Sequence, residues 1–66
     1  MKIRVNGEFR EINDSAKLSE FLEKLGICDN GIAVELNREV VPRSVWPSIT
    51  LTNGDAIEIV QFVGGG

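Results

Sequence analysis

The sequence contains no histidine, no tyrosine and a single cysteine, Cys28. One cysteine cannot form an internal disulfide, so the chain is not a disulfide-stapled secreted domain. Without histidine, the sequence offers neither the ligands of an ordinary zinc site nor a base that would activate a serine or cysteine nucleophile. Cys28 follows a predicted helix and is interpreted as a small apolar side chain.

The chain is also short and mildly acidic. Its 66 residues suffice for one domain with a thin core, and a deep cleft between two lobes will not fit. Seven Lys and Arg against ten Asp and Glu give a net charge of −3, which disfavours nucleic acids and anionic membranes as partners. No signal-peptide core and no membrane-spanning apolar run is present, so we expect a soluble, cytoplasmic protein.

The N-terminal segment predicts a β-hairpin. Polar and apolar residues alternate over residues 2–5, which is the period of a half-buried strand. Asn6-Gly7 follows, and both residue types tolerate the positive φ of a two-residue hairpin turn. In the return strand Phe9 and Ile12 are out of phase, so the pattern leaves open which of its side chains face the core.

A helix is predicted after the hairpin, over residues 17–25. Its apolar residues recur at spacings of three and four and therefore share one face. They are Leu18, Phe21, Leu22 and Leu25. The polar cluster at residues 13–15 supplies candidate N-caps, and Gly26 stands where a left-handed C-cap is common.

The remaining sequence predicts three more strands. Two of them, residues 32–36 and 40–41, flank a turn, and residues 56–62 form the longest. Between them Trp46 is expected to cover the edge of the core within one helical turn that Pro47 stops. The order β-β-α-β-β-β favours an α+β fold in which one helix packs on a mixed sheet.

Three of the seven glycines end the chain: Gly64, Gly65 and Gly66. Because glycine has no Cβ, a partner could thread such a tail through a slot that excludes every other residue. The slot would deliver the terminal carboxylate to a buried active site. The alternative interpretation is a frayed end without function.

The last predicted strand carries apolar residues beside this tail. Ile57 and Ile59 are expected to face the helix. Strand alternation then places Glu58, Val60 and Phe62 on the opposite, open face. Exposed Val60 and Phe62 would suit a partner protein; alternatively, the strand twists and Phe62 covers the edge of the core.

Segments along essentially the whole chain resemble one family. The most specific are Asn-Arg-Glu-Val-Val-Pro-Arg at 37–43, Gly-Asp-Ala-Ile-Glu-Ile-Val at 54–60, and the glycine end. In these segments the sequence resembles the thiamine-biosynthesis sulfur carrier (ThiS) family. That resemblance implies the ubiquitin-like β-grasp fold, with one helix on a mixed five-stranded sheet over residues 1–62 and a flexible tail over 63–66.

The resemblance implies a carrier and not an enzyme. An E1-like adenylyltransferase using ATP and magnesium would adenylate the Gly66 carboxylate, and a persulfide-bearing donor would convert it to a thiocarboxylate. Thiazole synthase would accept the sulfur. The carrier itself would bind no cofactor or metal and would be monomeric when free. Gly65 would thread the partner's site, and the residues expected to contact partners are Val60, Phe62, Val63 and Gly64.

Several alternatives remain open. Many members of the family end in two glycines, whereas this chain has a third, so processing would make Gly65 the working terminus; we favour unprocessed Gly66. The small subunit of molybdopterin synthase would share the tail chemistry with a different acceptor, although the segment at 37–43 favours the thiamine branch. A ubiquitin-like modifier would join its tail to lysine, and a simple interaction domain would have an inert tail.

Overall fold

A computed structural model describes residues 1–27 and 31–61 of the chain. The strands of this part form one five-stranded mixed sheet in the order β2-β1-β5-β3-β4. Helix α1 packs on one face of it, as the predicted α+β order requires. The elements are β1 (Lys2–Val5), β2 (Glu8–Glu11), α1 (Leu18–Lys24), β3 (Ile32–Leu36), β4 (Glu39–Val40), a 3₁₀ helix (Arg43–Ser48) and β5 (Ala56–Gln61).

Strands β1 and β5 lie side by side at the centre of the sheet. They run parallel, with Arg4 opposite Ala56 and Val5 opposite Ile57. On its other side β5 pairs antiparallel with β3 through five residue pairs, from Ile32 opposite Gln61 to Leu36 opposite Ile57. The two antiparallel hairpins, β1–β2 and β3–β4, are therefore joined through β5.

The predicted first hairpin is confirmed, together with its turn. Asn6 and Gly7 have φ values of 48° and 85°, the left-handed conformation that a two-residue turn between twisted strands requires. The second hairpin turns through Asn37 and Arg38, with φ of 52° and 71°. Its second strand begins one residue earlier than predicted, at Glu39.

The core fills the space between the sheet and α1. Its buried residues are Ile3, Val5, Leu18, Phe21, Leu22, Val34, Trp46, Leu51 and Ile57. The structure also resolves the phase of the second strand. Ile12 packs against the core, whereas Phe9 points away from it and is 65% exposed.

Helix α1 begins and ends close to the predicted positions, but its N-terminal cap differs. Lys17, and not a residue of the cluster at 13–15, precedes the first turn, and its backbone N–H donates to the Glu20 carboxylate at 3.0 Å. Lys17 itself is extended, with φ of −85° and ψ of 150°, and it forms an isolated bridge to Thr50. At the other end Gly26 takes the predicted left-handed conformation, with φ of 74°.

The segment around Trp46 corrects a second prediction. Pro47 does not stop the helical turn but lies inside a 3₁₀ helix that runs to Ser48. A 3₁₀ helix accepts proline here because its φ matches that of the pyrrolidine ring and only one backbone donor is lost. Trp46 is buried at the edge of the core, as predicted, and its indole N–H donates to the Val41 carbonyl at 2.9 Å.

Candidate functional site

The sheet face opposite α1, here called the open face, carries the predicted partner-binding residue that the structure describes. Along β5, Ile57 is buried and Ile59 packs against the core, whereas Glu58 is exposed and Val60 is 50% exposed. The predicted alternation of this strand is therefore confirmed through Val60. The other predicted contact and tail residues lie outside the described part of the chain: Phe62, Val63, Gly64, Gly65 and Gly66, as does Cys28.

Strand pairing places two further apolar side chains on the same face as Val60. Ala33 of β3 lies directly opposite Val60, and Val40 of β4 lies opposite Glu35. Val40 is 69% exposed. These short, branched or small side chains, Ala33, Val40 and Val60, are named the valine patch. Because these side chains are short, the open face is flat and apolar near the end of β5. A partner protein can pack closely against such a surface.

Two carboxylates lie beside the valine patch. Glu35 and Glu58 are directly opposite each other in the β3–β5 pairing. Like charges in such a cross-strand pair repel each other and destabilise a sheet. A cationic group of a partner placed between the two carboxylates would relieve this repulsion, so the charge of this region favours a basic partner surface.

The strand that leads to the tail is held by an asparagine side chain where β1 ends. The backbone N–H of Ile59 donates to the Asn6 side-chain oxygen at 2.7 Å, and the Asn6 amide donates to the Ile59 carbonyl at 3.4 Å. This amide continues the pairing of β5 for two residues beyond Ile57, the last residue that β1 pairs. Asn6 therefore helps to fix the direction in which β5 leaves the sheet.

The beginning of β5 is fixed from the other side. Ala56 donates its N–H to the Asn37 side-chain oxygen at 3.0 Å and accepts the Asn37 N–H at 2.8 Å. The Asp55 carboxylate accepts from the Asn37 amide at 3.0 Å and from the Thr52 N–H at 2.8 Å. The sequence places Asn6 and Asn37 in predicted turns, but it does not predict their bonds to β5. The only sequence signal for these bonds is that both residues are asparagines, whose side-chain amide can donate and accept hydrogen bonds.

The described residues contain no candidate metal site. Across residues 1–27 and 31–61, no group of three His, Cys, Asp or Glu side chains is placed to hold a metal ion. In the same part of the chain, no helix has the length and apolarity needed to cross a membrane.

Comparison with protein families gives one full-length match. The model of the ThiS family matches residues 3–66, which include the glycine tail. A crystal structure of the thiamine biosynthesis protein ThiS from Geobacter metallireducens superposes with a TM-score of 0.86 at 35% identity, and all of both chains is covered. This similarity confirms the predicted β-grasp fold.

Similar sequences include separate carriers of this length and longer proteins that contain a similar segment. The sulfur carrier protein ThiS of Escherichia coli is 30% identical over 66 residues, with all of both chains covered, and that of Thermus thermophilus is 37% identical over 62 residues, covering 94% and 95%. A thiazole synthase of Paramagnetospirillum magneticum is 41% identical over all 66 residues. The chain spans only 20% of that longer protein.

Proposed function

Because this chain belongs to the ThiS family, we propose that its C-terminal glycine carries sulfur, as a thiocarboxylate, for the thiazole ring of thiamine. The observation that carries the proposal is the family match over residues 3–66, which includes both the open face and the glycine tail. A ThiS protein is a carrier and not an enzyme. The chemistry therefore belongs to partner enzymes, and this chain supplies one carboxyl group.

The Gly66 carboxylate needs activation before it can accept sulfur. An α-carboxyl group has an ordinary pKa of about 3.5, so it is ionised at neutral pH and is a poor electrophile. In the proposed first step a carboxylate oxygen attacks the α-phosphate of ATP, whose magnesium is bound by the E1-like partner. Pyrophosphate leaves, and Gly66 becomes an acyl adenylate with AMP as its leaving group.

Sulfur then replaces AMP. The terminal sulfur of a persulfide on the donor protein attacks the Gly66 carbonyl carbon, and AMP leaves. A thiol then reduces the resulting acyl disulfide, so that the thiocarboxylate remains on Gly66 and a disulfide forms on the donor side. Gly65 would occupy the narrow entrance of the partner's site, where any Cβ would clash.

The described part of the chain supports this proposal through its open face. Val60 of the valine patch lies on the strand that leads to the tail, so a partner that receives Gly66 would also contact Val60. Phe62, Val63 and Gly64 would extend that contact. Asn6 and Asn37 hold β5 from both sides, which limits the directions in which the tail can leave.

Thiazole synthase is the proposed acceptor. In the P. magneticum relative a segment similar to this whole chain is part of a protein named thiazole synthase, and a second such protein comes from Magnetococcus marinus. A carrier segment within the same chain as a synthase supports an encounter between the two when they are separate proteins. The need for ATP and a reduced sulfur donor favours the cytoplasm as the location.

The experiment is intact mass spectrometry after incubation with the E1-like enzyme of the same organism, ATP, magnesium and a persulfide donor. We expect a mass gain equal to the exchange of one oxygen for one sulfur, localised to Gly66, and no gain after deletion of Gly66. An unchanged C-terminus would overturn the proposal if a separate ThiS carrier is converted in the same reaction. A gain on Gly65 of a shortened chain would identify a processed terminus.

Deletion of the gene distinguishes the competing functions. Thiamine auxotrophy that the wild-type chain rescues, and the Gly66 deletion does not, is expected of a ThiS carrier. Loss of molybdoenzyme activity would instead indicate the molybdopterin branch. Covalent adducts on lysines of other proteins would indicate a modifier. Rescue by a chain that lacks Gly64, Gly65 and Gly66 would indicate an interaction domain with an inert tail.

A further inference from the structure

A second exposed feature of the open face lies on the edge strand β2, away from the valine patch. Phe9 is 65% exposed although it is a large apolar side chain. It lies opposite Arg4 in the β1–β2 pairing, and Arg4 lies opposite Ala56 in the β1–β5 pairing. Phe9 therefore shares the open face with Val60, which follows Ala56 by four residues.

Two cations lie over the Phe9 ring. The Lys2 ammonium is 5.6 Å from the ring centroid, and the Arg4 guanidinium carbon is 5.2 Å from it. These distances are within the range of a cation–π interaction. Lys2, Arg4 and Phe9 are named the Phe9 cluster.

The cations of the Phe9 cluster have no carboxylate partner in residues 1–27 and 31–61. Met1 and Asp14 form the ion pair found in that part of the chain, and neither belongs to the cluster. Glu11 lies opposite Lys2 in the strand pairing, yet the two charged groups form no ion pair. In a chain of net charge −3, the cluster is thus a local positive site around an exposed aromatic ring.

The Phe9 cluster and the valine patch are close enough to belong to one interface. Phe9 is level with Ala56, because both lie opposite Arg4. Val60 is four residues further along β5, two strands away from β2. With about 3.3 Å per residue and about 4.8 Å per strand, their Cα atoms are roughly 16 Å apart. A protein–protein interface of ordinary size, about 800 Å² per partner, would cover both.

We propose that the Phe9 cluster is the second docking point of the open face, and that it receives an apolar surface with carboxylates on the enzyme that activates the tail. The ring would be buried against apolar side chains of that enzyme, while Lys2 and Arg4 pair with its carboxylates. This inference rests on the proposed function, because it assigns a further contact of the same encounter.

The two ends of the open face carry opposite charge. The Phe9 cluster presents two cations, whereas the valine patch is flanked by Glu35 and Glu58, which oppose each other. A partner complementary to both ends is acidic over β1 and β2 and basic over β3 and β5. Such a surface accepts the carrier in a single orientation, which directs β5 and its tail toward the active site.

The test measures KM and kcat for the carrier in ATP-dependent pyrophosphate release by the activating enzyme. We expect Phe9→Ala to raise KM about tenfold with kcat unchanged, since an aromatic anchor is lost while the tail chemistry is retained. The double variant Lys2→Glu/Arg4→Glu is expected to raise KM by a similar factor and to weaken the dependence of KM on salt.

Arg10→Glu is the matched control. Arg10 is exposed on the same strand as Phe9 but lies opposite buried Ile3, so it belongs to the other face of the sheet. This charge reversal is expected to leave KM within about twofold of wild type. Far-UV circular dichroism of every variant establishes that its fold is intact.

The outcomes separate this inference from the function on which it rests. If wild type releases no pyrophosphate, the proposed function fails. If wild type is active and the Phe9 cluster variants keep its KM, the second docking point is wrong while the carrier function stands. Variants that are activated normally but fail only with thiazole synthase, or that only alter self-association, would overturn the assignment to the activating enzyme.

Discussion

Asn6 and Asn37 act on the same strand from its two sides. Each lies in a hairpin turn with positive φ, and each uses a side-chain amide to bind the backbone of β5. An amide can replace a neighbouring strand at one position because it offers both a donor and an acceptor. These two side chains thereby bind the β5 backbone at Ala56 and Ile59, next to the residues that pair with β3 and β1.

The contribution of Asn6 can be measured by its replacement with glycine. Asn6→Gly keeps the positive φ at no steric cost but removes the acceptor of the Ile59 N–H, so we expect the free energy of unfolding to fall by about 1 kcal/mol. Urea denaturation followed by Trp46 fluorescence gives this value. Asn6→Asp is the control, since it retains the acceptor and should cost less than the glycine variant.

Equal stability of Asn6→Gly and wild type would contradict this role. In that case water would satisfy the Ile59 N–H as well as the amide does, and the direction of β5 would depend on its pairing with β1 and β3.

At the scale of elements, α1 ends through backbone conformation and not through a side-chain contact. Gly26 follows the helix with φ of 74°, and a Cβ built at this position would meet nothing within 4 Å. A side chain would therefore fit sterically among its neighbours, and the requirement for glycine comes from the backbone alone.

Gly26→Ala tests whether the backbone conformation alone requires glycine at this position. We expect it to lower the free energy of unfolding by about 1–2 kcal/mol, the cost of holding an L-residue in the left-handed conformation. Gly26→Asn should cost less, because asparagine tolerates that conformation better than alanine does. Thermal unfolding by circular dichroism compares the three proteins, and an alanine variant as stable as wild type would show that the helix end relaxes.

Helices and strands were predictable where the spacing of apolar residues or a turn motif within one segment determines the element. The spacing of Leu18, Phe21 and Leu22 identifies α1, and Asn6-Gly7 identifies the first turn. The errors arise at Lys17, where a bridge to the distant Thr50 accompanies the extended backbone before the helix, and at Trp46, which is buried against the core within the 3₁₀ helix that includes Pro47. No local pattern records such contacts.

Some parts of the candidate site could be predicted from the sequence and others could not. Alternation along β5 placed Val60 on the open face, because both faces of one strand can be inferred from its own sequence. The Phe9 cluster depends on the register between β1 and β2, and the Glu35–Glu58 pair on that between β3 and β5. The β3–β5 register joins residues far apart in the chain, so the sequence did not reveal the glutamate pair. The β1–β2 register follows from the two-residue turn at Asn6-Gly7, but the phase of Phe9 and Ile12 left open which face Phe9 occupies.

At the scale of the whole molecule, the core is a single cluster that includes Trp46. Unfolding is therefore expected to be one cooperative transition. Because Trp46 is the sole tryptophan and is buried, its fluorescence and far-UV circular dichroism should change at the same urea concentration. Transitions at different concentrations would show that the 3₁₀ helix separates from the sheet before the rest unfolds.

The central position of β5 also bears on how the protein is made. A ribosome synthesises β5 after every other strand, yet β5 is the strand that joins the two hairpins. An isolated two-stranded hairpin is at best marginally stable, so a nascent chain that stops before residue 56 cannot assemble this core. Translation must therefore pass the last strand before this core can form.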